Sequence, residues 1–173
     1  MRTLRSNGVL SEEELMELPG VPSLDVIKKG QPVVVIECAE RIPCNPCEAY
    51  CPQGVIKVGD DINNLPSLDG AKCTGCGLCI AACPGLAIFV VNGAYTESDA
   101  LISIPYEFLP LPRVGEQVEA LDREGRKTCL AKVVQVRDNE KFDGTPVISF
   151  TVPKEKCMEV RHIRLLEGTV GKR

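Results

Sequence analysis

The sequence predicts an α+β fold in two parts: a small unit with pseudo-two-fold symmetry, then a small β-barrel of SH3-like strand spacing. Three observations predict it. Eight of the 10 cysteines fall into two groups, Cys38-x5-Cys44-x2-Cys47-x3-Cys51-Pro52 and Cys73-x2-Cys76-x2-Cys79-x3-Cys83-Pro84. Both groups leave through one frame, Cys-Pro-x-x-x-Ile, running from Cys51 to Ile56 and from Cys83 to Ile88. Beyond Pro112, short alternating apolar stretches recur at the spacing of a small all-β unit.

Composition narrows the choices. The chain has 173 residues, 44% hydrophobic and 25% charged, which suits one ordinary domain or two small ones and argues against disorder. No apolar run approaches the roughly 20 residues needed to cross a bilayer. Met1-Arg2-Thr3-Leu4-Arg5 is not followed by the apolar stretch of a secretory signal, so a cytoplasmic location is expected. Residues 1–100 hold 7 Lys+Arg against 13 Asp+Glu, and residues 101–173 hold 13 against 11. The acidic front argues against nucleic acid as its ligand. The back is too weakly basic to argue for it and reads as a solvated surface.

Residues 1–32 read as a helical arm. Ser11-Glu12-Glu13-Glu14 has capping-box spacing, with Leu15, Met16 and Leu18 behind it and Pro19-Gly20 ending the turn. Ser23 to Gly30 reads as a second short helix. Neither is long enough to stand alone, so both must pack on the next unit or on a partner. Residues 33–98 hold the two cysteine groups. Val33 to Glu37 enters the first as a strand, and Gly54 to Val58 leaves it. Lys72 precedes the second group, and Leu86 to Val91 leaves it. Each half therefore reads as strand, binding loop, helical turn, strand, with the turn-rich insertion Asp60–Pro66 between them. Residues 99–112, with Pro105, Pro110 and Pro112, read as a stiff linker. Residues 113–173 read as the β-barrel, with strands over 117–122, 128–136, 146–152 and 158–165. Such a barrel suits protein docking better than RNA, given few aromatics. It shows no carboxylate pair, nucleophile–base set or phosphate loop. His162 reads as an outward-facing strand residue, and Cys129 and Cys157 as isolated core or surface thiols.

Three chemistries compete for the eight grouped cysteines. Disulfides need an oxidising compartment. Zinc usually takes two ligand pairs, whereas each group here has four cysteines and the chain has a single His. Iron–sulfur clusters explain both groups: C-x2-C-x2-C-x3-C-P is a known cluster-binding run, and the second group matches it in full. A cubane presents four iron corners, each suited to one soft thiolate. The prolines redirect the chain out of each loop. Gly75, Gly77 and Gly85 let backbone approach sulfur. Tyr50 and Phe89 are expected to keep water off the sulfurs.

Over residues 33–92 the chain resembles the bacterial two-cluster 2[4Fe-4S] ferredoxin family. The resemblance implies a ferredoxin-like dicluster domain over 33–98. It implies two [4Fe-4S] clusters, with the fourth cysteine of each group ligating the other group's cluster. On that pattern Cys38, Cys44, Cys47 and Cys83 hold one cluster, and Cys73, Cys76, Cys79 and Cys51 hold the other. One departure matters. Five residues separate Cys38 from Cys44 where the family has two. Either Cys38 ligates through the longer loop, which the apolar strand ending at it favours, or it stays free beside a three-iron cluster. Folding of this thin unit should be coupled to metal, so its apo form should be largely unfolded.

The expected function is electron transfer without a catalytic site of its own. Oxidised four-thiolate clusters carry about −2 each, which with the acidic front biases potentials toward the lower half of the range of about −700 to +450 mV. The whole chain resembles the ferredoxin-like subunits that accompany flavin-containing dehydrogenases in anaerobic bacteria. The run Val35-Ile36-Glu37-Cys38-x5-Cys44-Asn45-Pro46-Cys47-Glu48 prompts this. The resemblance implies a flavoprotein dehydrogenase partner, further iron–sulfur subunits and a hetero-oligomer. The alternatives are a free-standing ferredoxin carrier and a cluster-dependent regulatory binding protein.

Overall fold

The computed structural model describes residues 3–69 and 73–166; Lys72 lies outside them. The N-terminal arm has three short helices: α1 (Thr3–Asn7), α2 (Glu12–Met16) and α3 (Leu24–Ile27). Ser11 closes the expected capping box. Its hydroxyl accepts from the Glu14 N–H at 3.2 Å, and the Glu14 carboxylate accepts from the Ser11 N–H at 3.0 Å. The arm packs on its own chain, burying Leu15, Leu18 and Ile27. The contact is close because Gly20 has no side chain. A Cβ there would lie 2.7 Å from the Ile36 Cβ, and the Gly20 carbonyl accepts from the Ile36 N–H at 2.8 Å.

The cysteine region is a doubled strand–helix–strand. Its first half is β1 (Val33–Ile36), α4 (Pro46–Ala49) and β2 (Ile56–Lys57). Its second is β3 (Ser67–Leu68), α5 (Leu78–Ala82) and β4 (Ile88–Asn92). The strands pair across the halves. β1 runs antiparallel to β4, with Val33 opposite Val91 and Ile36 opposite Ile88, and β2 runs antiparallel to β3. The helices pack on each other.

The remaining strands are β5 (Asp99–Pro105), β6 (Gln117–Leu121), β7 (Lys127–Arg137), β8 (Val147–Pro153) and β9 (His162–Leu165). They correct the expectation of a linker and a separate barrel. Residues 99–105 are a strand inside the sheet, paired with β4 on one side and β8 on the other. The prolines explain the difference. The first of the three stands at the strand's last position, so Asp99–Ile104 keep every N–H they need for pairing. One antiparallel sheet therefore runs β1-β4-β5-β8-β7-β6-β9, seven strands among the described residues, and its ladder does not close between β1 and β9. The expected strand over 158–165 also shortens. Residues 158–161 turn instead, with the Val160 N–H donating to the Lys156 carbonyl at 3.1 Å, and pairing begins at His162.

The sheet separates two cores. Its inner face sends Val35, Phe89, Val91, Ala100, Ile102, Val118, Val133, Phe150 and Ile163 into one cluster, so all seven strands curl around a shared interior. On the opposite face, Val34, Ile36, Ile88 and Val90 pack with Ile56, Ile80, Cys47 and Cys79. The two ends of the ladder meet through side chains. Glu37, just past β1, accepts from Arg161 Nε at 2.6 Å and from Arg123 Nε at 2.8 Å and Nη2 at 2.6 Å. Arg161 is buried and also donates to the Cys157 and Val160 carbonyls. The β-region is thus a curled sheet with an ion-paired seam where a hydrogen-bonded barrel was expected. His162 is half-buried at this end, its ring 5.8 Å from that of Tyr106 and 5.2 Å from that of Phe108.

Candidate metal centre

The helical turns that carry the third cysteine of each group start at a proline or just after a glycine. Pro46 opens α4 at its first turn, and Gly77 precedes α5 with φ +80°. Cys47 on α4 and Cys79 on α5 are buried. Past each turn the chain becomes free to aim elsewhere. Cys51 follows α4, and Cys83 follows α5.

The eight thiols line two cavities. Cys38, Cys44, Cys47 and Cys83 line the first, walled by Ile36, Ile42 and Ile88. Cys51, Cys73, Cys76 and Cys79 line the second, walled by Val34, Val55, Ile56 and Val90. Each helix therefore serves both cavities, giving its third cysteine to one and its fourth to the other. The alternation of β1 and β4 supplies an apolar back wall to both.

The electrostatics follow the same partition. Burial above all pushes the Cys79 thiol up, and the charges of Cys73, Cys76 and Cys51 add to it. Burial likewise pushes Cys47 up to about 11, reinforced by Cys83, Cys44 and Cys38. Four thiolates confined in an apolar cavity need a cationic group between them. Zinc would gather four sulfurs about 2.3 Å from one point. Among the described residues no three His, Cys, Asp or Glu side chains converge in that way. Sulfurs set around the walls of a cavity suit a polynuclear iron–sulfur cluster. The Gly75 N–H, 3.4 Å from the Cys73 sulfur, is the kind of donor such a thiolate uses. A buried donor without a protein partner, Arg137 Nε, lies on a guanidinium that contacts the second loop, which also fits a non-protein acceptor there.

Two expectations about the surroundings change. Tyr50 does not shield sulfur; it is 54% exposed. Phe89 is buried, but in the larger core on the far side of the sheet, with the Arg161 guanidinium 5.1 Å from its ring centroid. Strand alternation decides this, since Ile88 and Val90 are the residues that face the cysteines. Cys157 is buried in the larger core and Cys129 packs against it, away from both cavities. The residues that sequence reasoning missed are Glu37, Arg123, Arg161 and Arg137. Glu37 stands beside Cys38 with no role of its own legible in the run, the arginines lie in no motif, and only strand pairing brings them to the cysteine region.

Residues 40–87 match the family described as the 4Fe-4S dicluster domain. Three curated relatives match part of the chain. One is a subunit of the ion-translocating oxidoreductase complex of Methanosarcina acetivorans, 42% identical over 60 residues, covering 35% of this chain and 22% of the relative. Another is a subunit of the Na(+)-translocating ferredoxin:NAD(+) oxidoreductase complex of Acetobacterium woodii, 50% identical over 38 residues, 22% of this chain and 11% of the relative. An uncharacterised ferredoxin of Methanocaldococcus jannaschii is 36% identical over 63 residues, 36% of this chain and 37% of the relative. The chain thus spans little more than a third of these relatives at most. No solved structure matches it.

Proposed function

We propose that this ferredoxin-like 4Fe-4S protein, whose cofactors are two [4Fe-4S] clusters, is the electron-transfer subunit of an oxidoreductase complex. In this reading it relays electrons between a flavin-containing dehydrogenase subunit and an acceptor, in the cytoplasm. Cys38, Cys44, Cys47 and Cys83 ligate one cluster. Cys73, Cys76, Cys79 and Cys51 ligate the other. The observation that carries the reading is the division of eight thiols into two cavity-lining quartets, each completed by a cysteine from the other half of the repeat.

When bound, each cluster can gain or lose one electron. The protein's part is to hold, insulate and tune. The eight thiolates fix the two sites on a shared sheet face. Ile36, Ile88, Val34 and Val90 exclude water from the rear of the cavities. Backbone N–H groups such as that of Gly75 stabilise sulfur charge. Two relatives are named as members of multi-subunit complexes, which supports such a setting here. The seven-stranded sheet extends well beyond the matched residues and offers the surface for such an assembly.

Anaerobic iron and sulfide analysis with EPR tests the ligand reading. About eight iron and eight sulfide per chain are expected. About seven iron, with a signal in the oxidised state, would assign a three-iron site and a free Cys38. Size-exclusion and pull-down from native extract test the complex. Co-elution with a flavoprotein is expected. A monomer that never carries one would instead favour a free-standing carrier, the reading that the Methanocaldococcus jannaschii relative's name supports.

A further inference from the structure

The second cavity has a neighbour that the first lacks. Arg137, the last residue of β7, reaches from the sheet to the loop between Cys73 and Gly77. Its Nη1 donates to the Cys76 carbonyl at 2.6 Å and to the Gly75 carbonyl at 3.1 Å. The guanidinium carbon lies 5.5 Å from the centroid of Phe142, which pins the group from the other side. The approach depends on Gly77, where a Cβ would fall 3.0 Å from both terminal nitrogens. Arg137 makes no ion pair with a carboxylate among the described residues. The first cavity is served differently: Arg41, in its loop, is exposed to solvent, and Arg123 and Arg161 share the Glu37 carboxylate.

We propose that Arg137 makes the two cluster sites unequal, so that the site of Cys51, Cys73, Cys76 and Cys79 takes the first electron and the site of Cys38, Cys44, Cys47 and Cys83 the second. The inference rests on the reading of these cysteines as cluster ligands. One electron from an external low-potential donor makes a four-thiolate site one charge more negative. A fixed, half-buried guanidinium beside that site stabilises the added charge more than solvent would. Arg137 stays protonated throughout, so no proton accompanies the electron. The chain becomes a polarised relay, and a strand outside the cysteine repeat sets its direction.

The test is an anaerobic redox titration of the full-length holoprotein followed by EPR. Wild type, Arg137→Gln, Arg137→Lys and Phe142→Leu are compared, with iron and sulfide measured on each. Two resolved one-electron steps are expected in the wild type. Arg137→Gln lowers the higher potential and leaves the lower in place. Arg137→Lys restores most of the difference. Phe142→Leu, which unpins the charge without removing it, produces a smaller shift in the same direction. Cys76→Ser identifies the site by altering the EPR signal of the cluster reduced first. Equal shifts at both clusters, no shift in a fully loaded variant, or an altered signal from the cluster reduced second would overturn the proposal. A wild type with far fewer than eight iron would instead sink the ligand reading beneath it. If Arg137→Gln does not load, Phe142→Leu decides, and an unmoved potential there counts against the proposal.

Discussion

On β1 and β4, Val34, Ile36, Ile88 and Val90 turn to the cysteines, while Val35, Phe89 and Val91 turn into the larger core. The same two strands thus border two interiors of different kinds. The larger core gathers buried aliphatic and aromatic side chains from all seven strands. Its cohesion comes from apolar area removed from water, and it asks for nothing beyond the chain. The smaller core contains thiols that burial drives toward protonation, around cavities that thiolates and iron would fill. The expectation is that stability on one face comes with the polypeptide and that the other, with its smaller apolar cluster, also needs the metal.

The largest test of that contrast is removal of iron. Anaerobic chelation should abolish hydrogen-exchange protection in α4, α5, β2 and β3 while β5, β7 and β8 keep theirs. Uniform loss would mean that the sheet has no independent stability, and uniform retention that metal is not a folding partner.

Next in size is Glu37→Gln. It leaves the buried Arg161 and its neighbour Arg123 without an anion, a change that typically costs about 3–5 kcal/mol. Chemical denaturation should show the loss, and iron should leave faster, because Glu37 directly precedes Cys38. A loss below about 1 kcal/mol would show that the seam merely decorates the sheet.

Smaller again is the hydroxyl pair between β5 and β8. Ser103 and Ser149 are buried, 2.7 Å apart. Ser103→Ala should cost about 1–3 kcal/mol by stranding the Ser149 hydroxyl, whereas replacing both by Ala should cost less than either alone. Equilibrium denaturation of the singles and the double measures this, and additive losses would contradict it. The smallest effect belongs to the arm. Ser11→Ala should cost about 1 kcal/mol, read as a modest drop in melting temperature with the iron content unchanged.

Local signals carried much of this molecule. The capping box at Ser11 has its pattern within four residues and forms as read. The cysteine spacing announced two groups of four, the family resemblance implied that the groups exchange their fourth cysteines, and the two cavities are lined in that exchanged arrangement. The strands expected over 117–122 and 128–136 form as Gln117–Leu121 and Lys127–Arg137. Pairing partners were not visible. Proline content at 99–112 looked like a linker because proline count says nothing about which N–H groups the ladder needs. Phe89 looked like a shield because its nearness in sequence to Cys83 does not reveal which face of β4 it occupies.

By itself, then, the sequence determined the chemistry: soft thiolates at cluster spacing, doubled, in a frame that could wrap two inorganic cores. Ligand identity and loop geometry are properties of a few neighbouring residues, so they survive in the one-dimensional text. The tertiary structure alone decided that one sheet spans both parts, that Glu37 ties its two ends, and that Arg137 lies beside one quartet and not the other. Those contacts join residues 61 to 124 positions apart, and their cause is the antiparallel pairing of whole strands, which no local pattern encodes.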